Sequence, residues 1–209
     1  TTGDISNFFS NIWPISFFSF EDLRLFFSLV LIAISCIIMG AGIPTTATYI
    51  ILVAVAAPAL AQLGIEPLVA HFFVFYYGVL ADITPPVALA AYAASGIAKS
   101  NPFKTGNTAF RLGIAKALVP FVFVYSPSLL LITGEFQTNQ LMITLIGTLI
   151  GIALIGIAFT GYWFRPLMKY EQIIIGIGSL FFVAPGTSSM IIGLLIVLPM
   201  LFLQFYKKN

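Results

Sequence analysis

The chain has 209 residues, of which 60% are hydrophobic and 8% charged, with a mean hydropathy of +1.07 and a net charge of +2. A soluble domain carries about 25% charged residues, so most faces of this chain cannot meet water and it is an integral membrane protein. The small net charge and the absence of a Lys/Arg run argue against nucleic acid, and the single Cys36 excludes a disulfide framework. The long apolar stretch 141–157 favours membrane helices over a barrel.

The beginning of the chain predicts a connecting segment. Residues 1–22 are aromatic and polar, which suits an interfacial position near lipid headgroups. The chain starts at Thr1 without a charged region before an apolar core, so we predict no signal peptide. We expect the sequence to be a piece of a longer polytopic protein.

An uncharged break separates the first two predicted helices, 23–39 and 47–63, of which the first is short for a crossing of about 20 residues. In this break, Gly40, Gly42 and Pro44 restrict or widen the backbone conformations, and hydroxyl groups come from Thr45, Thr46 and Thr48. Amides that start the second helix would suit an anion, and carbonyls that end the first would suit a small cation. A tight turn capped by threonine would explain the same pattern. Because nothing charged would anchor this turn in water, we favour a re-entrant hairpin over 23–63 to two full crossings.

A second break interrupts the apolar stretch 67–98. Pro85 and Pro86 each remove a backbone donor, so half-length helices are predicted on either side, over 67–81 and 87–98. Asp82 precedes the prolines, and an acid within a span costs about 2.5–3.5 kcal/mol, which makes it a functional candidate. Thr84 supplies a companion hydroxyl, although a role of Asp82 as N-cap or in an Asx-turn is also open. Two broken segments are what a membrane transporter needs for a site at mid-bilayer.

The middle of the chain sets the predicted orientation. Residues 99–116 contain four bases and no acid, so this loop is predicted to be cytoplasmic, with an amphipathic interfacial helix over 105–117. Residues 117–209 form the C-terminal transmembrane helices, with spans near 118–132, 140–161, 172–184 and 188–206. The charges of the intervening loops fit alternating sides, with Glu135 outside and a cytoplasmic C-terminus.

Two further features have structural explanations. His71 begins an aromatic run near the outer interface, where a packing role is favoured over proton transfer. The glycines Gly147, Gly151 and Gly156 predict close contact between helices.

Several stretches of this sequence together resemble the large membrane subunit of tripartite ATP-independent periplasmic (TRAP) transporters, most closely the TAXI branch. They are Gly40 to Tyr49, Phe73-Val74-Phe75-Tyr76-Tyr77, Asp82 to Ala91, Phe110-Arg111-Leu112-Gly113 and Val119-Pro120-Phe121. The resemblance covers residues 23–132 well and the last spans less specifically. It is a resemblance to the C-terminal part of that subunit.

The resemblance implies an elevator-type fold with two inverted repeats. Residues 23–98 would be the transport-type core of the second repeat, with a re-entrant hairpin over 23–63 and a broken helix over 67–98. The rest of the membrane subunit, which comprises the first repeat and the small-subunit helices, would be a partner of this chain. The first repeat would complete the substrate site. The family also implies uptake of carboxylates across a bacterial inner membrane, a periplasmic binding protein of TAXI type as partner, and coupling to a sodium or proton gradient.

The resemblance also implies site residues. For the substrate they are Gly42, Pro44, Thr45, Thr46 and Thr84, and for the coupling ion they are Gly40, Gly42, Asp82, Thr84 and Pro85. Asp82 departs from many relatives outside this branch, which have an uncharged residue there. No catalytic residue and no cofactor beyond Na⁺ as coupling ion is expected. An intramembrane hydrolase lacks a paired Asp or a Ser–His pair here, while a non-transporting scaffold subunit is the alternative function.

Overall fold

The structure, a computed structural model, describes residues 20–131, 138–184 and 186–206, and in these ranges it consists of α-helices joined by short segments without a β-strand. The helices are α1 (Phe20–Gly40), α2 (Thr45–Gln62), α3 (Pro67–Leu80), α4 (Leu89–Ile97), α5 (Pro102–Gly113), α6 (Val119–Tyr125), α7 (Thr138–Thr160), α8 (Lys169–Val183) and α9 (Thr187–Tyr206). Short 3-10 segments cover Ala81–Ile83, Ile114–Leu118 and Pro127–Leu130. The predicted all-α class is confirmed.

Several of the described helices are long and apolar enough to cross a membrane. By length and composition, five stretches could cross a bilayer: Glu21–Gly40, Thr45–Gln62, Pro102–Tyr125, Leu141–Thr160 and Thr187–Tyr206. Pro67–Ile83 is apolar but shorter. The chain is therefore a multi-pass membrane protein, as its composition predicts.

Helices α1 and α2 form the predicted hairpin, with one difference. The expectation that the first helix is short is wrong, because α1 has 21 residues and already contains Glu21 and Asp22. Glu21 and Arg24 lie one turn apart, with an oxygen and a nitrogen separated by 3.6 Å, and such a pair supports an exposed helical turn. Both helices are long enough to cross, so a re-entrant hairpin stays a prediction.

The stretch after residue 98 also differs from the predicted division into helix 105–117 and span 118–132. Helix α5 begins at Pro102, where proline is well tolerated. Helical backbone then continues through the 3-10 segment 114–118 into α6, which ends at Tyr125. The predicted span is cut short because Pro127 cannot continue the α-helical hydrogen bonds.

Helices α1, α2, α3 and α6 share one apolar core. Leu29 of α1, Leu52 of α2 and Phe73 of α3 are fully buried in it. Phe121 of α6 packs on Phe73 with ring centroids 5.7 Å apart. The core therefore joins the hairpin, the first half of the broken helix and α6.

Helices α7, α8 and α9 form a second packed group with its own core. A Cβ added to Gly147 of α7 would lie 2.8 Å from the Phe182 carbonyl oxygen, and one on Gly193 of α9 would lie 3.0 Å from the Gly178 carbonyl oxygen. The predicted close contact is thus present at Gly147. It is also present at Gly151, where an added Cβ would lie 3.1 Å from the Ser179 carbonyl oxygen, and both contacts are with α8 of the same chain. Gly156 has no such neighbour within 4 Å.

Some predictions fall outside the described residues. They concern the connecting segment up to residue 19, the loop that contains Glu135, and the basic tail with Lys207 and Lys208. The predicted orientation of the chain depends on the last two of these and stays a prediction.

Candidate functional site

The hairpin tip, residues 40–46, is a tight uncharged turn between α1 and α2. Gly42 has a φ of +83°, a left-handed conformation that strongly favours glycine. Pro44 is the N-cap of α2, and no side chain caps this helix. The amides of its first turn therefore present the positive end of the helix dipole at the tip.

The helix break, residues 81–88, leaves helical geometry in two places. Thr84 is extended, with φ −95° and ψ 118°, and Ala88 is left-handed with a φ of 36° and fully buried. The predicted interruption at Asp82 to Pro86 is therefore present in the structure.

The hairpin tip contacts the helix break. A Cβ added to Gly40 would lie 3.2 Å from Ala81 Cβ and 3.1 Å from the Gly78 carbonyl oxygen. On the other side of the tip, a Cβ added to Gly42 would lie 3.7 Å from Val87 Cγ1. The absence of a side chain at Gly40 lets the tip approach the break, and the two irregular segments form one surface.

Asp82 lies in the helix break, in the 3-10 turn that follows α3. It is half-buried, and within the described ranges its carboxylate has no hydrogen bond or ion pair. The Thr84 amide donates to the Ala81 carbonyl oxygen at 3.1 Å, so the carboxylate does not cap this turn as the alternative interpretation proposed. Its oxygens remain available to a cation or a proton.

Three threonine hydroxyls are candidates for ligand contact. Thr84 Oγ1 donates to the Leu80 carbonyl oxygen at 2.7 Å, which leaves its lone pairs free to accept. Thr45 and Thr46 are exposed at the tip, and no hydrogen bond joins their hydroxyls to Thr84 or Asp82 in the structure. The tip and the break are adjacent, while the predicted roles of these side chains stay predictions.

Thr48, which follows the tip, has a structural role. It is buried, its hydroxyl donates to the Ile43 carbonyl oxygen at 3.1 Å, and its methyl group lies against Gly40 and Gly78. Its polar atom is thus satisfied locally, and its methyl group fills the contact between α2 and α3.

His71 pairs with another aromatic side chain. Its Nδ1 lies 2.8 Å from the Tyr49 hydroxyl oxygen, and the ring centroids are 6.1 Å apart. This contact joins α2 to α3 in their shared interface and fits the favoured packing role.

Two tyrosines that sequence reasoning did not assign to the site hold the break in place. The Tyr92 hydroxyl donates to the Pro86 carbonyl oxygen at 2.7 Å, directly across the break. The buried Tyr77 donates to the Ala117 carbonyl oxygen, which ties α3 to the segment after α5. Tyr77 belongs to the aromatic stretch Phe73 to Tyr77, for which the sequence favours helix packing over a cavity-lining role. No sequence signal distinguishes Tyr92.

Helix α5 packs directly against the break at glycine positions. A Cβ added to Gly106 would lie 2.8 Å from Tyr92 Cε1, and one on Gly113 would overlap Ile83 Cδ1. The two glycines are separated by two helical turns and are both buried, so they form the face that α5 presents to the break. Contact with Ile83 therefore explains why the Phe110 to Gly113 stretch ends in glycine.

A second polar cluster lies far along the chain, at the ends of α8 and α9. Glu171 is fully buried and accepts from Arg165 Nη2 at 2.6 Å, from the Met168 amide at 2.8 Å and from Gln204 Nε2 at 3.1 Å. Arg165 Nε and Gln204 Oε1 are buried without a partner among the described residues. Sequence reasoning did not assign this cluster, because Gln204 reaches Glu171 from another helix, 33 residues further along the chain.

The donor set of the tip and the break suits a monovalent cation bound by oxygen. The described residues contain no group of three or more His, Cys, Asp or Glu side chains that could hold a metal ion. Unwound backbone carbonyls and hydroxyls at broken helices are the ligands that transporters use for sodium. Both are present at this surface, beside one carboxylate.

The comparisons with known proteins bear on this same region. The family model described as "Tripartite ATP-independent periplasmic transporter, DctM component" matches residues 17–138, which is more than half of the chain. The match includes the hairpin tip and the helix break, and it stops where α7 begins. No curated protein and no solved structure matches the chain.

Proposed function

Because the chain belongs to the DctM component family of tripartite ATP-independent periplasmic transporters, we propose that its hairpin tip and helix break form one half of the substrate and cation site. The protein would be the membrane component of a secondary transporter that imports small organic acids. Its binding-protein partner would be of the TAXI type, and the other half of the site would come from the first repeat.

The observation that carries this proposal is the contact between the two irregular segments. Gly40 and Gly42 bring the tip against Ala81 and Val87, where backbone polar groups leave regular helix. Non-helical backbone at membrane depth is tolerated only in protein or beside a water-filled cavity. A binding surface is the function that explains why both breaks occur and why they meet.

The two kinds of ligand would use different groups of this surface. The uncapped amides of α2, with the hydroxyls of Thr45 and Thr46, present hydrogen-bond donors and a positive dipole end to a substrate carboxylate. Tip carbonyls, the Thr84 oxygen and the Asp82 carboxylate supply negative oxygens to the coupling cation. Pro85 has a fixed φ and so sets the direction of the backbone that follows Asp82 and Thr84.

The moving body would be larger than the hairpin and broken helix alone. Tyr92, Gly106 and Gly113 connect the break to α5, and Phe121 connects α6 to the core of the hairpin. Moving α1 to α4 without α5 and α6 would break these contacts. We therefore propose that residues 20–125 move together during alternating access.

The test is uptake of labelled small carboxylates into proteoliposomes that contain the complete transporter. Uptake is measured with and without the binding protein, under an imposed sodium or proton gradient, at a bacterial inner-membrane lipid composition. We expect uptake only when the binding protein and one of the gradients are both present. Absence of uptake from folded protein under every gradient would contradict the transport function and favour a scaffold subunit.

An Asp82→Asn variant tests the proposed cation ligand in the same assay. Asparagine keeps an oxygen ligand but removes the negative charge, and opposite unit charges about 4 Å apart attract by about 4 kcal/mol near a protein surface. The cation concentration for half-maximal uptake should therefore rise by about tenfold or more. The control is Glu66→Gln, which removes an exposed acid at the start of α3 that caps no amide. An unchanged cation dependence in Asp82→Asn would remove Asp82 from the site without affecting the transport function itself.

A further inference from the structure

We infer that the outer face of α5 is a binding surface for anionic lipid headgroups. This surface, called here the α5 basic face, is separate from the hairpin tip and the helix break. It consists of the exposed residues Phe103, Lys104, Thr108, Arg111 and Leu112. The inference concerns a lipid partner and does not depend on the proposed substrate.

The geometry of α5 separates two faces. Gly106 and Gly113 are buried against the break, so the opposite side of the helix is directed outward. Lys104 and Arg111 are two turns apart on that outward side, with Thr108 between them. Leu112 is 61% exposed, and Phe103 is 71% exposed although its ring makes an edge contact with Tyr92, with centroids 5.9 Å apart. Exposed apolar surface therefore flanks the two bases. Bases between apolar side chains are typical of a helix that lies at a lipid headgroup layer.

The charges around this face are of one sign. The sequence from 83 to 134 contains Lys99, Lys104, Arg111 and Lys116 and no acidic residue. Within the described chain, neither Lys104 nor Arg111 has an ion-pair partner. An anionic headgroup would supply the missing counter-charge, whereas a zwitterionic headgroup brings its own cation.

A shallow, open surface depression of about 450 Å³ lies beside Lys104, and Ala109 and Leu112 also line it. Arg111 does not line this depression and lies two turns after Lys104 on the same outward side. Thr105 and Thr108 donate their hydroxyl protons to backbone carbonyl oxygens of the same helix. The charged donors for a phosphate are therefore Lys104 and Arg111, while Ala109 and Leu112 offer apolar contact to the adjoining chain of the lipid.

The test measures thermal unfolding of the purified full chain in neutral detergent micelles that contain added phosphatidylglycerol or phosphatidylcholine. We expect phosphatidylglycerol to raise the unfolding midpoint by several degrees more than phosphatidylcholine does. The Lys104→Gln/Arg111→Gln variant should bind phosphatidylglycerol about 30-fold more weakly, since each base near an anionic surface contributes about a factor of five. Its midpoint shift with phosphatidylglycerol should then match that with phosphatidylcholine.

The matched control is Arg24→Gln, which removes an exposed base from the first turn of α1 and should keep the full phosphatidylglycerol effect. The charge-preserving Lys104→Arg/Arg111→Lys variant should also keep it. If the Gln variant does not fold, the salt dependence of the wild-type shift replaces it, because raising the salt from about 0.1 M to about 1 M shortens the screening length from about 10 Å to about 3 Å. Equal shifts with both lipids, a Gln variant that keeps the phosphatidylglycerol effect, or a shift that salt does not reduce would overturn the inference.

Discussion

Glycine is required at two positions of the hairpin tip for different reasons. Gly40 has three neighbouring atoms at 3.0–3.2 Å from the place where a Cβ would lie, so a side chain there would push the tip from the break. Gly42 has room for a side chain, but its φ of +83° disfavours one. A side chain at position 40 is excluded by lack of space, and one at position 42 is disfavoured by the backbone conformation.

We predict that Gly42→Ala lowers the free energy of unfolding by about 1–2 kcal/mol, the cost of a left-handed conformation for a residue with a Cβ. The same variant should take up substrate more slowly, because the tip carries the proposed ligands. Thermal unfolding and uptake measure the two effects.

The control for that change is Gly96→Ala in α4. An added Cβ there would have no neighbouring atom within 4 Å, and φ is not positive. It should leave stability equal or raise it by about 0.5–1 kcal/mol, because alanine favours a helix interior over glycine. A Gly42→Ala protein as stable as Gly96→Ala would show that the left-handed turn is absent.

At the scale of helices, side-chain contacts from α4 and α5 hold the break in shape. The Tyr92 hydroxyl reaches the Pro86 carbonyl oxygen six residues earlier, and its ring lies against Gly106 of α5. The Pro86 carbonyl lies before the first residue of α4 and accepts from no backbone amide of the described residues, so the Tyr92 side chain supplies its hydrogen bond. The irregular segment thereby has a fixed conformation.

We predict that Tyr92→Phe destabilises the protein by about 1 kcal/mol, because the Pro86 carbonyl loses its donor. The ring and its packing remain, so the effect isolates the hydroxyl. Tyr170→Phe is the control, since that side chain is exposed and its hydroxyl makes no hydrogen bond within the described residues. Equal unfolding midpoints for the two variants would argue against a supporting role of Tyr92.

The buried Glu171 cluster connects the α7–α8 turn to the end of α9. Breaking a buried ion pair by removing one partner costs about 3–5 kcal/mol, because the remaining charge is left without compensation. Arg165→Met should therefore strongly lower the unfolding midpoint. The Arg165→Met/Glu171→Gln variant should recover much of the loss, since it removes the unpaired charge.

A control variant for this cluster is Lys169→Met, which changes the same charge at an exposed position one residue after Met168. Its stability should stay near wild type, because exposed charges contribute little. If Arg165→Met unfolded no more readily than Lys169→Met, the ion pair would not be buried in the protein.

Over the whole molecule, local chemistry made some features predictable. Glycine and proline act on their own backbone, so Gly42 and Pro85 indicated both breaks directly from the sequence. The apolar stretches indicated the helices because a segment surrounded by lipid must satisfy its backbone hydrogen bonds internally. Their exact limits differed where a distant packing partner or a later proline decides the end, as at Tyr125.

Contacts between distant parts of the chain were not predictable. Tyr77 and Ala117 are 40 residues apart, and Glu171 and Gln204 are 33 apart. Which tyrosine or glutamine finds a partner depends on how the helices pack, and nothing in the local sequence distinguishes it. The adjacency of tip and break was expected because two broken segments suit one site at mid-bilayer, and the structure provides it as a contact.

The most direct measurement of the central claim, that the tip and the break form one site, is a double-mutant cycle between Thr45 and Thr84. The rate of substrate uptake is measured as a function of substrate concentration for the wild type, Thr45→Ala, Thr84→Ala and the double variant. Residues that share one network have coupling energies of about 0.5–3 kcal/mol, whereas independent sites add within about 0.5 kcal/mol.

The control cycle pairs Thr45→Ala with Thr160→Ala on α7, whose hydroxyl donates to the Gly156 carbonyl oxygen of its own helix. Our account predicts that the effects of Thr45 and Thr84 are coupled and that those of Thr45 and Thr160 are additive. Additive effects of Thr45 and Thr84, in proteins that fold and reach the membrane, would contradict a shared site.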